Sequence, residues 1–322
     1  MRPPRAHCTE CCRLAKGGEA VPKSDVPVAE ADNLSKTYGA NTVVESASFR
    51  IHAGEVVVLV GPNGSGKTTT MEMLVGLRRP TLGRASIAGV AVRPGGPHRS
   101  LVGVQLQQAG LPNRLRAGEA LHAAACLYPS PENPRDLLER VGLAHAWKTP
   151  VDRLSGGQQR RLDIAIACIG RPPFLLLDEP TSGMDPEGRA ELWELLRATT
   201  GPSCGVLAST HDLGEAEAFA DRVIMMRNGR LILDGSVSSV IATSGGEWRI
   251  RIPSASPSTM AMIESSELRH SRAGSTMVAI GSRHEIELLR AAIDADDAAE
   301  DVIVGPIRLE DVFLFARSEE AA

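Results

Sequence analysis

The stretch Glu55-Val56-Val57-Val58-Leu59-Val60, followed by Gly61-Pro62-Asn63-Gly64-Ser65-Gly66-Lys67-Thr68, decides how this chain is read. Five apolar, mostly β-branched residues in a row suit a strand buried on both faces. The segment that follows, Thr69-Thr70-Met71-Glu72-Met73-Leu74-Val75, has helix-forming residues at helical spacing. Between them lies the pattern G-x-x-x-x-G-K-[ST]. Glycines let the backbone curl so that successive N–H groups face a polyphosphate. The helix start adds unpaired N–H groups and a positive dipole end. Lys67 then reaches the β- and γ-phosphates, and the Thr68 hydroxyl ligates Mg²⁺. An ordinary glycine-rich turn is the alternative. A chance match in a chain this long has a probability of roughly one per cent, and the strand and helix on either side are the context the motif demands.

The other strand ends are read against that loop. Pro173-Phe174-Leu175-Leu176-Leu177-Asp178-Glu179 is an apolar strand ending in two carboxylates. Alone it is a strand edge; beside a phosphate loop, Asp178 is placed to organise Mg²⁺ and Glu179 to orient and deprotonate a water. Gly205-Val206-Leu207-Ala208-Ser209-Thr210-His211 is a further short strand, and its terminal histidine by itself is a weak signal. Leu154-Ser155-Gly156-Gly157-Gln158 opens a helix with Ser155 as N-cap, a second element able to offer backbone amides to phosphate. Tyr38 precedes the loop and either stacks on a nucleobase or is a half-buried strand tyrosine.

The remaining chain supplies the frame. Residues 1–27 mix Pro, Arg, Gly and Cys without periodicity and read as a disordered extension. Cys8-x-x-Cys11-Cys12 within it is half of a zinc pattern at most, and a reducible tail is the simpler reading. Asn41–Ile51 reads as strand, 84–92 as a strand pair turning on glycine, and Leu101–Gln108 as a strand ending in amides. Ala117–Trp147 is helical, broken at Pro131 and Pro134. Arg222–Leu233 is a hairpin through Asn228-Gly229. After Gly245-Gly246 the chain alternates strand (248–252), helix (258–265), strand (275–280), helix (284–294) and strand (302–304), which suits a small, ferredoxin-like α+β module.

The composition is that of a globular protein, with 43% hydrophobic and 23% charged residues among 322. The net charge of −4 does not favour nucleic acid as the partner. No run approaches the ~18 apolar residues of a membrane span, and the N-terminus lacks a secretory apolar core, so a cytoplasmic chain is expected.

Taken in order and spacing, the stretches from Ala29 to Gly235 resemble the ATP-binding subunit of an ABC transporter. The resemblance implies an α/β fold, the P-loop NTPase cassette with a mixed core sheet, a helical subdomain at about 109–155 and an antiparallel N-terminal β subdomain. The cassette is expected over 28–240 and the α+β module over 241–318. By resemblance, the nucleotide-binding Walker A loop is Gly61, Pro62, Asn63, Gly64, Ser65, Gly66, Lys67, Thr68 and Thr69. Tyr38 takes the adenine-stacking place. Glu179 is the catalytic base, His211 the switch histidine, and Lys67 and Gln107 complete the catalytic set. Mg²⁺ falls to Thr68, Gln107 and Asp178. Leu154, Ser155, Gly156, Gly157 and Gln158 form the signature, and Ser182, Gly183 and Asp185 belong to the D-loop, with Met184 where Leu is usual. Leu106 stands where Pro is common, which leaves Gln105 and Gln108 as rivals to Gln107.

The family mechanism places two ATP and Mg²⁺ between two copies of the subunit. Each ATP is held by Lys67 and Thr68 of one copy and covered by Ser155 and Gly157 of the other. A separate integral membrane permease, reached through the Gln107 region, would hold the homodimer at the inner face of the cell membrane. The ending Leu309-Glu310-Asp311-Val312-Phe313-Leu314 resembles the tail of ABC-2-type drug and antibiotic exporters. An exporter of a drug, antibiotic or lipid-like substrate is therefore expected, with an importer or lipid-transport ATPase as the rival. A soluble ABC protein acting on ribosomes or DNA fits less well, because such chains carry two cassettes or a long coiled-coil insertion.

Overall fold

The computed structural model describes residues 26–106, 111–112, 114–295 and 301–318. The extension expected at 1–27, apart from its last two residues, and Cys8, Cys11, Cys12 and Gln107 lie outside the described residues. The chain opens with β1 (Ala29–Tyr38) and β2 (Asn41–Ile51), an antiparallel pair, and enters β3 (Val56–Val60), from whose end α1 (Lys67–Leu74) departs. β4 (Leu82–Ile87) returns beside β1, and β5 (Val90–Ala91) completes an antiparallel sheet of order β2-β1-β4-β5.

β6 (Val102–Gln105) leads into three helices, α2 (Ala117–Ala125), α3 (Pro134–Arg140) and α4 (Gly156–Cys168). The break between α2 and α3 follows its chemistry: Pro134 sits at the first turn of α3, and the Asn133 side chain accepts the Arg135 amide as N-cap. Next come β7 (Phe174–Asp178), α5 (Pro186–Thr200), β8 (Gly205–Thr210), α6 (Leu213–Phe219), β9 (Arg222–Arg227), β10 (Arg230–Ser236) and α7 (Val237–Ala242).

The core sheet has the order β10-β9-β3-β8-β7-β6, parallel except for β10. Its strands β3, β7 and β8 are buried on both faces, and the alternation of side chains divides the core in two. Val56, Val58, Val60, Leu175 and Leu177 join the core built with α2–α5. Val57, Leu59, Phe174 and Leu176 join the core that includes α1 and the antiparallel sheet. That double burial is why the sequence around the loop is an unbroken apolar run.

The last segment runs β11 (Trp248–Ile252), α8 (Pro257–Ser265), β12 (Arg269–Ala273), β13 (Thr276–Gly281), α9 (Arg283–Ala295), β14 (Ile303–Pro306) and α10 (Leu309–Ser318). Its antiparallel sheet, β12-β13-β11-β14, with the βαββαβ succession is ferredoxin-like. β12 differs from the reading of the sequence, which had no strand there. Arg-His-Ser-Arg-Ala lies at the sheet edge with only Ser271 buried, so it carries no apolar alternation. Val278 and Ile280 pack with Leu309, Val312 and Phe315 into the cassette core. Here the fully buried Asp311 receives Arg249 Nη1 on both carboxylate oxygens, at 2.7 and 2.6 Å, and also accepts the Arg308 amide.

Removing one member of a buried pair leaves the other charge uncompensated. Asp311→Ala is expected to lower stability by about 3–5 kcal/mol, measured by chemical denaturation, whereas the double substitution Arg249→Met with Asp311→Leu recovers most of that loss.

Candidate functional site

Three strand ends converge on one edge of the core sheet. From β3 the chain turns into the glycine loop, held shut by its own lysine. Lys67 Nζ donates to the carbonyls of Gly61 at 2.7 Å and Pro62 at 3.2 Å. A Cβ on Gly61 would stand 2.2 Å from the Met226 carbonyl, and one on Gly66, at φ 106°, would stand 2.8 Å from the Val43 carbonyl. Only glycine lets the loop lie this close to β9 and β2. Pro62, Asn63, Gly64 and Thr68 face solvent, and Thr69 is half-buried on the first turn of α1. Ser65 Oγ is buried with no hydrogen-bond partner among the described residues. An orphaned hydroxyl inside a curled loop is what an anionic ligand would satisfy.

From β7 comes Asp178, 3% exposed, whose Oδ2 accepts the Thr68 hydroxyl at 3.1 Å. The loop and the carboxylate are thus one site. Burial pushes the Lys67 ammonium pKa down, and the Glu179 and Asp178 charges oppose that shift. From β8 comes His211, whose Nδ1 lies 3.4 Å from Glu179 Oε1. Glu179 adopts φ +49°, a left-handed conformation uncommon for a side chain of its size and found preferentially at functional sites.

Ser209 holds these groups in place, and the sequence analysis did not single it out. It is fully buried and directly opposite Asp178 in the β7–β8 register. Its hydroxyl donates to Asp178 Oδ1 at 2.5 Å and accepts the Glu179 amide at 3.0 Å. The only sequence signal was its place two residues before His211 on the same strand.

The remaining expected residues fall into two groups. Tyr38 is the last residue of β1 and 44% exposed, so it keeps a strand position with nearly half of its surface open. Lys36 Nζ lies 5.0 Å from its ring centroid, and Arg78 donates to its hydroxyl. Residues 154–158, expected to form the signature, lie elsewhere. Ser155 and Gln158 form a reciprocal capping box at the start of α4, with bonds of 3.3 and 3.0 Å, and Leu154 is buried beneath. Ser155, Gly156, Gly157 and Gln158 line a cleft of about 760 Å³ together with Ser182, Gly183 and Asp185. No described residue from 61 to 69 lines it. Asp185 accepts the Gly188 amide at 2.7 Å as N-cap of α5. Asp163, in the same cleft, has its pKa pushed up to about 6 by burial, with Arg160 countering. Gln105 is buried in β6, its amide turned onto the Leu106 carbonyl at 3.0 Å.

A family model described as "ABC transporter" matches residues 44–182. A Nod factor export ATP-binding protein I of Burkholderia lata is 36% identical over 90% of this chain and 97% of its own length. A doxorubicin resistance ATP-binding protein of Mycobacterium tuberculosis is 35% identical over 72% of each chain. A solved ATP-binding cassette, dimeric and bound to ADP and phosphate, superposes with a TM-score of 0.58. It is 25% identical and covers 65% of this chain and 98% of its own. The chain belongs to the ABC transporter family. Within it, the chain is an ATP-binding subunit of the exporter type, an ATPase whose nucleotide turnover is coupled to transport.

Replacing Ser209 by Ala leaves a buried carboxylate oxygen and a strained amide each without its partner. The substitution is expected to cost about 1–3 kcal/mol of stability and to lower kcat for ATP roughly tenfold with KM little changed, since it disturbs a positioned group rather than a binding contact. Calorimetry and steady-state hydrolysis check the two effects; unchanged turnover would remove Ser209 from the positioning of Glu179.

Proposed function

We propose that this chain hydrolyses ATP with the residues gathered at the ends of β3, β7 and β8, and that two copies must meet to complete each site. The observation that carries the reading is the contact between Thr68 and Asp178, which joins the phosphate loop to the paired carboxylates. Lys67 and the loop amides hold the β- and γ-phosphates, as the curled backbone and the orphaned Ser65 hydroxyl support. The donors Thr68 Oγ1 and Asp178 Oδ2 are hard oxygens 3.1 Å apart, a set that suits Mg²⁺ sharing phosphate ligands. Gln107 remains a proposed third ligand. When bound, Mg²⁺ neutralises charge that builds on the transferring phosphoryl group.

Glu179 orients the attacking water and accepts its proton. His211, beside Glu179 Oε1, steadies the water and the γ-phosphate. Holding reactants at hydrogen-bond range and aiming fixed charge at the phosphoryl group are the principal terms for such a reaction. The signature and D-loop share a cleft that the phosphate loop does not line, which supports their covering an ATP held by the second copy. Tyr38, exposed between two cations, is the proposed platform for adenine.

No described helix is long and apolar enough to cross a membrane, which supports transport through a separate membrane permease with this chain at the permease's cytoplasmic face. Relatives named for Nod factor export and for doxorubicin resistance favour export over import and a drug, antibiotic or lipid-like cargo. The net charge of −4 favours no nucleic-acid partner.

Glu179→Gln is expected to retain ATP binding, to lose turnover by at least a hundredfold, within the range ascribed to acid–base catalysis, and to accumulate as an ATP-bound dimer in size-exclusion chromatography. Normal hydrolysis by that variant would sink the assignment of the base. Tyr38→Ala is expected to weaken nucleotide affinity roughly tenfold, as loss of one base-stacking platform does, in a fluorescent-nucleotide titration. Unchanged affinity would leave Tyr38 with no part in binding.

A further inference from the structure

The helix α5 touches the D-loop, the helix that the signature opens, and the helix that follows His211. At its start, the Asp185 side chain caps it and the D-loop leads directly into it. Along one side, Glu191 pairs with Arg161 of α4, the helix that the signature opens. Along another, Arg189, Trp193 and Arg197 stand four residues apart and so share one face. All three hold α6. Arg189 Nη1 donates to Asp212 Oδ2 at 2.5 Å, and the Trp193 indole donates to Glu215 Oε1 at 2.7 Å and stacks on Phe219. Arg197 donates to the Phe219 carbonyl at 2.7 Å.

α6 starts at the switch histidine. Asp212, next to His211, caps it by accepting the Glu215 amide at 3.1 Å. Glu215, 6% exposed, is satisfied on both oxygens, by Trp193 and by Thr210 Oγ1 at 2.7 Å, and the same threonine hydroxyl accepts the Asp212 amide. The peptide that carries His211 is therefore held from beneath by a closed set of hydrogen bonds.

Arg189 is the one member of the stripe that reaches both ends. While its Nη1 binds Asp212, its Nε donates to the Met184 carbonyl, inside the D-loop, at 3.1 Å. Both bonds leave one planar guanidinium with fixed donor directions, so Met184 and Asp212 are held to the same rigid group.

We infer that Arg189 is a positioning residue joining the D-loop to the His211 peptide, so that an ATP closed against this chain's signature and D-loop sets His211 against Glu179 in this chain's own site. The inference rests on the proposed two-copy site. The two ATP sites are thereby coupled, each copy's hydrolysis depending on nucleotide bound at the other. Arg189 touches no reacting group and acts through Asp212.

The test is the ATP dependence of hydrolysis for the full chain and for Arg189→Ala, Arg189→Lys and Asp212→Asn. Asparagine keeps the N-cap of α6, so Asp212→Asn breaks the clamp without uncapping the helix. The native chain is expected to show a Hill coefficient well above 1. Arg189→Ala and Asp212→Asn should each lower it to about 1 and lower kcat roughly tenfold, and combining them should add little more, as for two residues of one contact. Arg189→Lys, with a single point of contact, should fall between. The imidazole resonances of His211, assigned by their loss in His211→Ala, should shift in both clamp variants in the presence of ATP.

Native cooperativity in Arg189→Ala and Asp212→Asn, or His211 resonances that do not move, overturns the inference. So does an Asp212→Asn chain that loses activity only in proportion to its melting temperature, because that is a packing effect. A native chain with hyperbolic kinetics also overturns it. Dimer accumulation by Glu179→Gln, measured separately, then shows whether the two-copy reading stands without it.

Discussion

The register of three buried parallel strands is the constraint on which the site depends. Val60 pairs with Thr210, and Asp178 with Ser209, so β3, β8 and β7 end at the same level. Because both faces of the sheet are covered, a slip of one residue would exchange its two cores and is strongly opposed. The polar groups that follow these strands have nowhere to go but the one open edge. There Thr68, Asp178, Ser209, Glu179 and His211 meet in a continuous series of hydrogen bonds and close contacts, from Thr68 to Asp178 to Ser209 to the Glu179 backbone, with the Glu179 side chain beside His211. Ligand sites at the carboxyl ends of such strands are the general habit of open α/β sheets. The loop's glycines extend the same logic, since close approach to β9 and β2 is possible only without a Cβ.

The same architecture keeps the signature apart from the phosphate loop. α4 carries Leu154–Gln158 among the helices, and its cleft is shared with the D-loop rather than with residues 61–69. α5 bridges the two regions, bound to α4 through Arg161 and to α6 through Arg189, Trp193 and Arg197. The ferredoxin-like segment is fastened to the cassette through α10. The Leu309 amide is held by Glu217 of α6 at 2.8 Å, and Asp311 binds the buried Arg249. It touches the cassette on the helix that follows His211.

What could be read without coordinates was whatever the chain writes locally. The loop Gly61–Thr68, the carboxylates at 178 and 179, the histidine at 211 and the capped glycines at 155–158 stand in short runs whose chemistry shows in their spacing. Core strands were legible because burial on both faces demands an unbroken apolar run. β12 was not, because a polar edge strand has no such pattern. Ser209 was invisible as a holder of Asp178 because the two are 31 positions apart and meet only through strand pairing. Arg189 carried no signal in the sequence, because its two partners lie five residues before it and 23 after it.

Nucleotide chemistry and family were legible in the linear chain, since each is written in a few contiguous residues with one physical purpose. Tertiary structure alone decided how those pieces are oriented. It put Thr68 on Asp178, gave residues 155–158 a cleft that residues 61–69 do not line, and joined the Met184 carbonyl to Asp212 through a single guanidinium. Such relations depend on the register and crossing of distant elements, and no local pattern of residues encodes them.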